Sequence, residues 1–150
     1  MLEIHKAVVH LRREAAAASD YDLYKCLEEL CGFDCVATVF QSDKSETGVD
    51  AILHATEFIG NDIFFYADSF CDLKSIEPAA ELARATSGWC AFVDTGGLYA
   101  FRPRTALHVA RTVQRLLGDE ASVDHMVTEM YKAGVPILFR GEQGYRIVGG

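Results

Sequence analysis

The chain reads as a single α/β domain built on a mixed sheet. Two observations carry that reading. Helical and strand periodicities alternate along its 150 residues. Three consecutive strand-like runs then precede a helix and a further strand, an order that sets antiparallel neighbours beside a parallel one. No linker, repeat or low-complexity segment divides residues 1–150, and that length allows a substantial core.

Each element has a local reason. Over 2–18, Ile4, Val8 and Leu11 recur near helical spacing ahead of an alanine run, which predicts a helix. Ser19-Asp20 ends it and can cap a second helix over 21–31, where Leu23, Leu27 and Leu30 share a face and Gly32 is the stop. Cys35–Phe40 predicts a first strand and 41–47 a loop. Val49–Ala55 predicts a second strand and Asp62–Phe70 a third, with Gly60-Asn61 as the turn between them. A helix over 75–86, capped by Ser75 with Pro78 in its first turn, leads to a strand at Trp89–Val93. Asp94–Gly97 is a turn into a short strand, Leu98–Phe101. Helices over 105–117 and 122–132, the latter capped by Ser122, precede strands Val135–Phe139 and Tyr145–Val148.

Composition narrows the function classes. Half of the residues are apolar and about a quarter charged, the balance of a soluble globular protein. No apolar run approaches the ~20 residues of a membrane helix, and charges interrupt the opening MLEIHKAVVHLRRE, unlike a secretory signal. A cytoplasmic placement follows, or action inside a host cell. The net charge of −8 argues against broad binding to nucleic acid, and leaves Arg102, Arg104, Arg111 and Arg115 as a local basic patch.

Five cysteines are an odd number without an export signal, so disulfides are not expected. Cys26, Cys31 and Cys35 lack the CxxC spacing of zinc knuckles and read as small buried thiols. The five histidines form no HExxH or HxxxH pair, and there is no GxSxG elbow or P-loop. Of the histidines, only His54, four residues after Asp50, can share a strand face with a candidate carboxylate.

The element order helix, three strands, helix, strand over residues 20–101 resembles the restriction-endonuclease-like αβββαβ core of the PD-(D/E)xK nuclease superfamily. YDLYKCLEELCGFDCVAT looks like the opening helix and first strand of Mrr-type endonucleases, and GVD at 48–50 like the entry to their second strand. ELARATSGWCAFVDTGGLYAFRP looks like the helix and strand of archaeal Holliday-junction resolvases. The resemblance covers about 20–103. An N-terminal helix over 2–18 and a C-terminal ααββ extension over about 105–150 complete the single expected domain. The tail KAGVPILFRGEQGYRIVGG is similar to the wing of some winged-helix DNA-binding domains; the alternative is a hairpin packed on the core.

The resemblance implies magnesium if the site is catalytic, held by carboxylates, with a lysine beside the attacking water. Asp50 takes the place of the first carboxylate, while Tyr66-Ala67-Asp68 stands where the second carboxylate and the lysine belong. The remaining candidates are Asp68 and Asp22 as further metal ligands, with Glu28 as another acid, and Lys74 as a migrated lysine. Asp50 also reads as a turn residue, and Asp68 as a polar strand end. The implied function is a nuclease-fold protein with a degenerate motif that binds nucleic acid or, given its charge, a protein partner of a nucleic-acid-processing or defence system. The alternatives are an active magnesium-dependent DNA endonuclease with a rearranged site, and a scaffolding subunit. No membrane role is expected, and a homodimer is an open arrangement.

Overall fold

The computed structural model describes residues 1–11, 18–40 and 47–150. Along the chain these form β1 (Lys6–Leu11), α1 (Ala18–Cys31), β2 (Val36–Phe40), α2 (Gly48–His54), α3 (Thr56–Ile59) and β3 (Phe64–Asp68). Then come α4 (Leu73–Ala85), β4 (Ala91–Asp94), β5 (Tyr99–Phe101), α5 (Pro103–Leu117), α6 (Val123–Lys132), β6 (Ile137–Gly141) and β7 (Gly144–Val148). The strands make one mixed sheet in the order β2-β1-β3-β5-β4-β6-β7. β1 runs parallel to β2 and β3, and β4 parallel to β6, while β5 and β7 run antiparallel to their neighbours.

Helices cover both faces, so the central strands are apolar on both sides. Val8, Phe64, Tyr66, Ala91, Phe101 and Ile137 point to a first face, under α2, α3, α5 and α6. Ala7, Val9, Phe65, Ala67, Phe92 and Leu138 point to the second, under α1 and α4. This strict alternation is the period of a pleated strand. Trp89 closes the second core; its indole N–H donates to the carbonyl of Ala83 at 3.2 Å, which satisfies its polar end in the interior.

The α/β class and the mixed sheet match the expectation, and the elements from residue 62 onward fall within a few residues of it. Two elements differ. Lys6–Leu11 is a strand, not part of a helix over 2–18, of which residues 12–17 lie outside the described set. Its side chains are buried on both faces between β2 and β3, so an apolar run with accidental helical spacing serves as a central strand.

Gly48–His54 is a helix, not the expected strand Val49–Ala55. Thr47 caps it, and Val49, Ala51 and Ile52 turn one face to the core. Two helices thus stand between β2 and β3, and the two strands are separated by β1 rather than joined in a meander. The expected C-terminal extension is likewise no appendage: β6 joins β4 and carries β7 as the sheet edge. The loop expected over 41–47 lies, but for Thr47, outside the described residues. No helix among the described residues is long and apolar enough to cross a membrane.

The crossovers β1–α1–β2 and β2–α2–β3 run in opposite directions along the sheet and over opposite faces. The crossover β3–α4–β4 runs in the same direction as β2–α2–β3 but over the second face, as α1 does. Both helices that follow the carboxyl ends of β1 and β3 therefore turn to the second face. On the first face, these strand ends lie under neither α1 nor α4.

Candidate functional site

Alternation brings His10, at the end of β1, and Asp68, at the end of β3, together on the first face. They are register partners on adjacent parallel strands, and each shares the first face with the residue two before it, Val8 and Tyr66. Strands pair at ~4.8 Å, so imidazole and carboxylate start as side-by-side neighbours. His10 is buried and Asp68 half-buried. One oxygen of Asp68 accepts from the backbone N–H of Phe70 at 2.9 Å, an Asx turn that starts the β3–α4 loop. Among the described residues its second oxygen has no partner.

The walls come from two helix starts and one strand. Gly48 opens α2 against the hydroxyl of Tyr66: a Cβ at this position would overlap that oxygen and crowd Val123. On the next strand, Tyr99 donates its hydroxyl to Asp124 at 2.6 Å. Burial, then the hydrogen bond and charge of Asp124, then the charge of Asp68 all raise the Tyr99 phenol well above its ordinary range. Tyr99 therefore stays protonated and serves as a fixed donor. These residues gather outside the carboxyl ends of parallel strands, where the strand order reverses at β1, the usual place for ligands in open α/β sheets.

On the second face at the same edge, another carboxylate is sealed. Asp94, at the end of β4, has a side chain only 1% exposed and accepts from Arg140 at 2.8 Å. Its other oxygen accepts the Gly96 N–H at 3.1 Å. Gly96 packs so tightly on Ser75 that a Cβ there would overlap the Ser75 hydroxyl. Beside this pair, the Cys71 thiol is pushed up to about 12 by burial and by the charges of Asp68 and Asp94. Cys71 is thus a closed structural thiol, not a nucleophile.

The residues proposed from sequence fall apart. Asp50 is the third residue of α2 and completes a capping box: its carboxylate accepts from the Thr47 N–H at 3.0 Å while the Thr47 hydroxyl accepts from the Asp50 N–H. Its other oxygen accepts from the side-chain amide of Gln114. Asp22 and Glu28 lie on α1, and Lys74 is exposed in the first turn of α4, both helices of the second face. Asp72, not Ser75, caps α4 through the Lys74 N–H. Of that set, only Asp68 is the register partner of His10.

Among the described residues no three of His, Cys, Asp and Glu gather as a metal site requires. These residues do not fit a resident nuclease magnesium. His54 is exposed at the end of α2 rather than on a strand beside Asp50. The four arginines divide: Arg102 donates to the Trp89 carbonyl at 2.7 Å and lies over the indole, while Arg104, Arg111 and Arg115 stay exposed on α5.

His10, Tyr99, Asp124, Asp94 and Arg140 gather at this edge of the sheet and are not among the candidates that the sequence offers. The paired valines of KAVVHL, β-branched and followed by a polar residue, are the available signal for a strand that ends in His10. The fold defines a class: an α/β protein with a mixed seven-stranded sheet among the described residues, in which His10 and Asp68 are register partners at the carboxyl edge. Comparison with models of known protein families and with curated proteins finds no match for this chain.

Proposed function

We propose that the protein binds a small phosphate-bearing ligand, a nucleotide, outside the carboxyl ends of β1 and β3. The observation that carries this reading is the oxygen of Asp68 that has no partner among the described residues, beside His10 on the face that neither α1 nor α4 covers. One carboxylate is too little to hold magnesium alone, but it can complete the shell of a magnesium ion that arrives bound to phosphates. The Tyr99 hydroxyl lies on the same wall, held by Asp124. His10 supplies a ring that can donate or accept a proton next to the bound group.

The nuclease expectation draws less support. Asp50 is engaged as a helix cap, Lys74 and Asp22 belong to helices of the other face, and two helices stand where the αβββαβ core has its second strand. Asp68 is the feature that the two readings share.

The test is isothermal calorimetry and thermal shift with a panel of nucleoside mono-, di- and triphosphates, each with and without Mg²⁺. A bound nucleotide at one hundred times its Kd stabilises the fold by about 3 kcal/mol. Asp68→Asn should remove the magnesium-dependent part of binding and leave the melting temperature of the free protein nearly unchanged. The reading fails if no nucleotide shifts the wild type, or if the variant responds equally. Plasmid cleavage with Mg²⁺ that Asp50→Ala abolishes would instead restore the nuclease.

A further inference from the structure

The outer face of α5 carries a second feature. Arg104, His108, Arg111 and Arg115 follow one another at i, i+4, i+7 and i+11, so they line a single stripe about 16 Å long. The opposite stripe, Ala106, Ala110 and Val113 with Leu107, is buried in the first core. All four outer residues are exposed, and no Asp or Glu occurs anywhere on the helix PRTALHVARTVQRLL. Among the described residues none of the three arginines makes an ion pair. Three unpaired guanidinium groups in one row are unusual on a chain of net charge −8, where acidic neighbours could pair with them at no cost in reach.

We propose that this stripe docks an acidic segment of a protein partner, a helix or extended strand that carries Asp or Glu at matching spacing. Arginine favours carboxylate and phosphate alike through its two-pronged fork. The width and the borders of the stripe separate these two partners. It is one residue wide. Asp50 borders it on one side, bonded to Gln114, and the exposed Asp119 and Glu120 follow at its end. A nucleic-acid duplex would press its phosphates against these carboxylates, and the net negative charge adds to the repulsion. A narrow row of carboxylates meets the arginines without meeting the borders. Beyond a Debye length of ~8 Å the remaining acids of the chain are screened, so a short acidic segment is governed by the stripe itself.

Exposed ion pairs are individually weak, so the test needs a method that reads weak binding by position. The probe is an alanine-based helical peptide with Glu at i, i+4, i+7 and i+11, titrated into ¹⁵N-labelled protein at low ionic strength and followed by NMR. Its Gln counterpart and a random-sequence DNA duplex are titrated separately. The expected result is chemical-shift change confined to 104–115 with the Glu peptide, absent with the Gln peptide and reduced at least tenfold by 150 mM salt. The triple variant Arg104→Gln/Arg111→Gln/Arg115→Gln should lose it. The corresponding triple Arg→Lys variant, which keeps the charge, should retain part of it; both alter exposed side chains, and their folding is checked from the same spectra. Shift changes elsewhere on the protein, no response to the Glu peptide, or tighter binding of the duplex than of the peptide would overturn the proposal. Each outcome is independent of nucleotide binding at the ends of β1 and β3.

Discussion

Two carboxylates end parallel strands at the same edge of one sheet and have opposite fates. Asp94, on the second face, is sealed: both oxygens are occupied, by Arg140 and by the Gly96 N–H, under a tightly packed turn. Asp68, on the first face beside His10, has one oxygen without a partner among the described residues. The difference lies in where the next segment of chain goes. The β4–β5 turn folds back over Asp94, whereas the chain leaving β3 continues to α4 and leaves Asp68 half-buried. A carboxylate at a strand end is thus a structural element or a binding group according to the direction of the connection that follows it.

The strongest way to break that comparison is to remove each carboxylate in turn. Asp94→Ala leaves the Arg140 guanidinium without its buried partner, and loss of one member of such a pair costs about 3 kcal/mol. For a chain of this length that lowers Tm by roughly 6–12 °C. Asp68→Ala removes a single hydrogen bond at a half-exposed site and should cost under about 1 kcal/mol. Urea unfolding of the two variants reads the difference directly. Equal losses would mean that Asp68 is as structural as Asp94.

The wall of the open side gives the next effect. Gly48→Ala drives a methyl group into the Tyr66 hydroxyl, and overpacking of this kind costs about 2 kcal/mol. Tyr66→Phe should relieve much of that cost in the double variant. A double-mutant cycle measures the coupling; strictly additive losses would show that the two groups do not meet.

Thr47→Ala then probes the helix that the sequence reading took for a strand. Loss of the capping hydroxyl should cost about 1 kcal/mol, and Asp50→Ala a similar amount. The signal for this helix was local and legible. Thr-Gly-Val-Asp, at 47–50, is a capping-box pattern, and Ala51, Ile52, Ala55 and Ile59 continue with helical spacing. Gly-hydrophobic-Asp also suits a strand entry, and the resemblance to a nuclease favoured that reading. β1 was harder to read, because Ile4, Val8 and Leu11 satisfy a helical period by accident.

From residue 62 onward, turns at Gly60-Asn61, Asp94–Gly97 and Gly134 punctuate the chain clearly, and the elements were found. Of the candidate site, Asp68 alone was legible. Its neighbour His10 is 58 residues away in sequence and comes to it through the placement of β1 between β2 and β3, which no local pattern encodes.

The smallest effect tests how tightly the closed side is sealed. The Cys71 thiol is raised from 9.0 to about 12, first by burial and then by Asp68 and Asp94. Between those values the unfolded chain releases the thiol proton and the folded chain keeps it. Unfolding then releases a proton, so stability is whole below about pH 9 and falls as pH rises above it, the loss reaching completion only near pH 12. Between pH 8 and pH 9.5 the contribution of one such thiol is under about 1 kcal/mol. Cys31, raised to about 12 by burial, adds to the same trend. The measurement is the stability difference between these two pH values in wild type and in Cys71→Ala, whose smaller decline isolates the Cys71 share. An identical decline in both proteins would mean that water reaches Cys71, and that the edge around Asp94 is as open as the edge around Asp68.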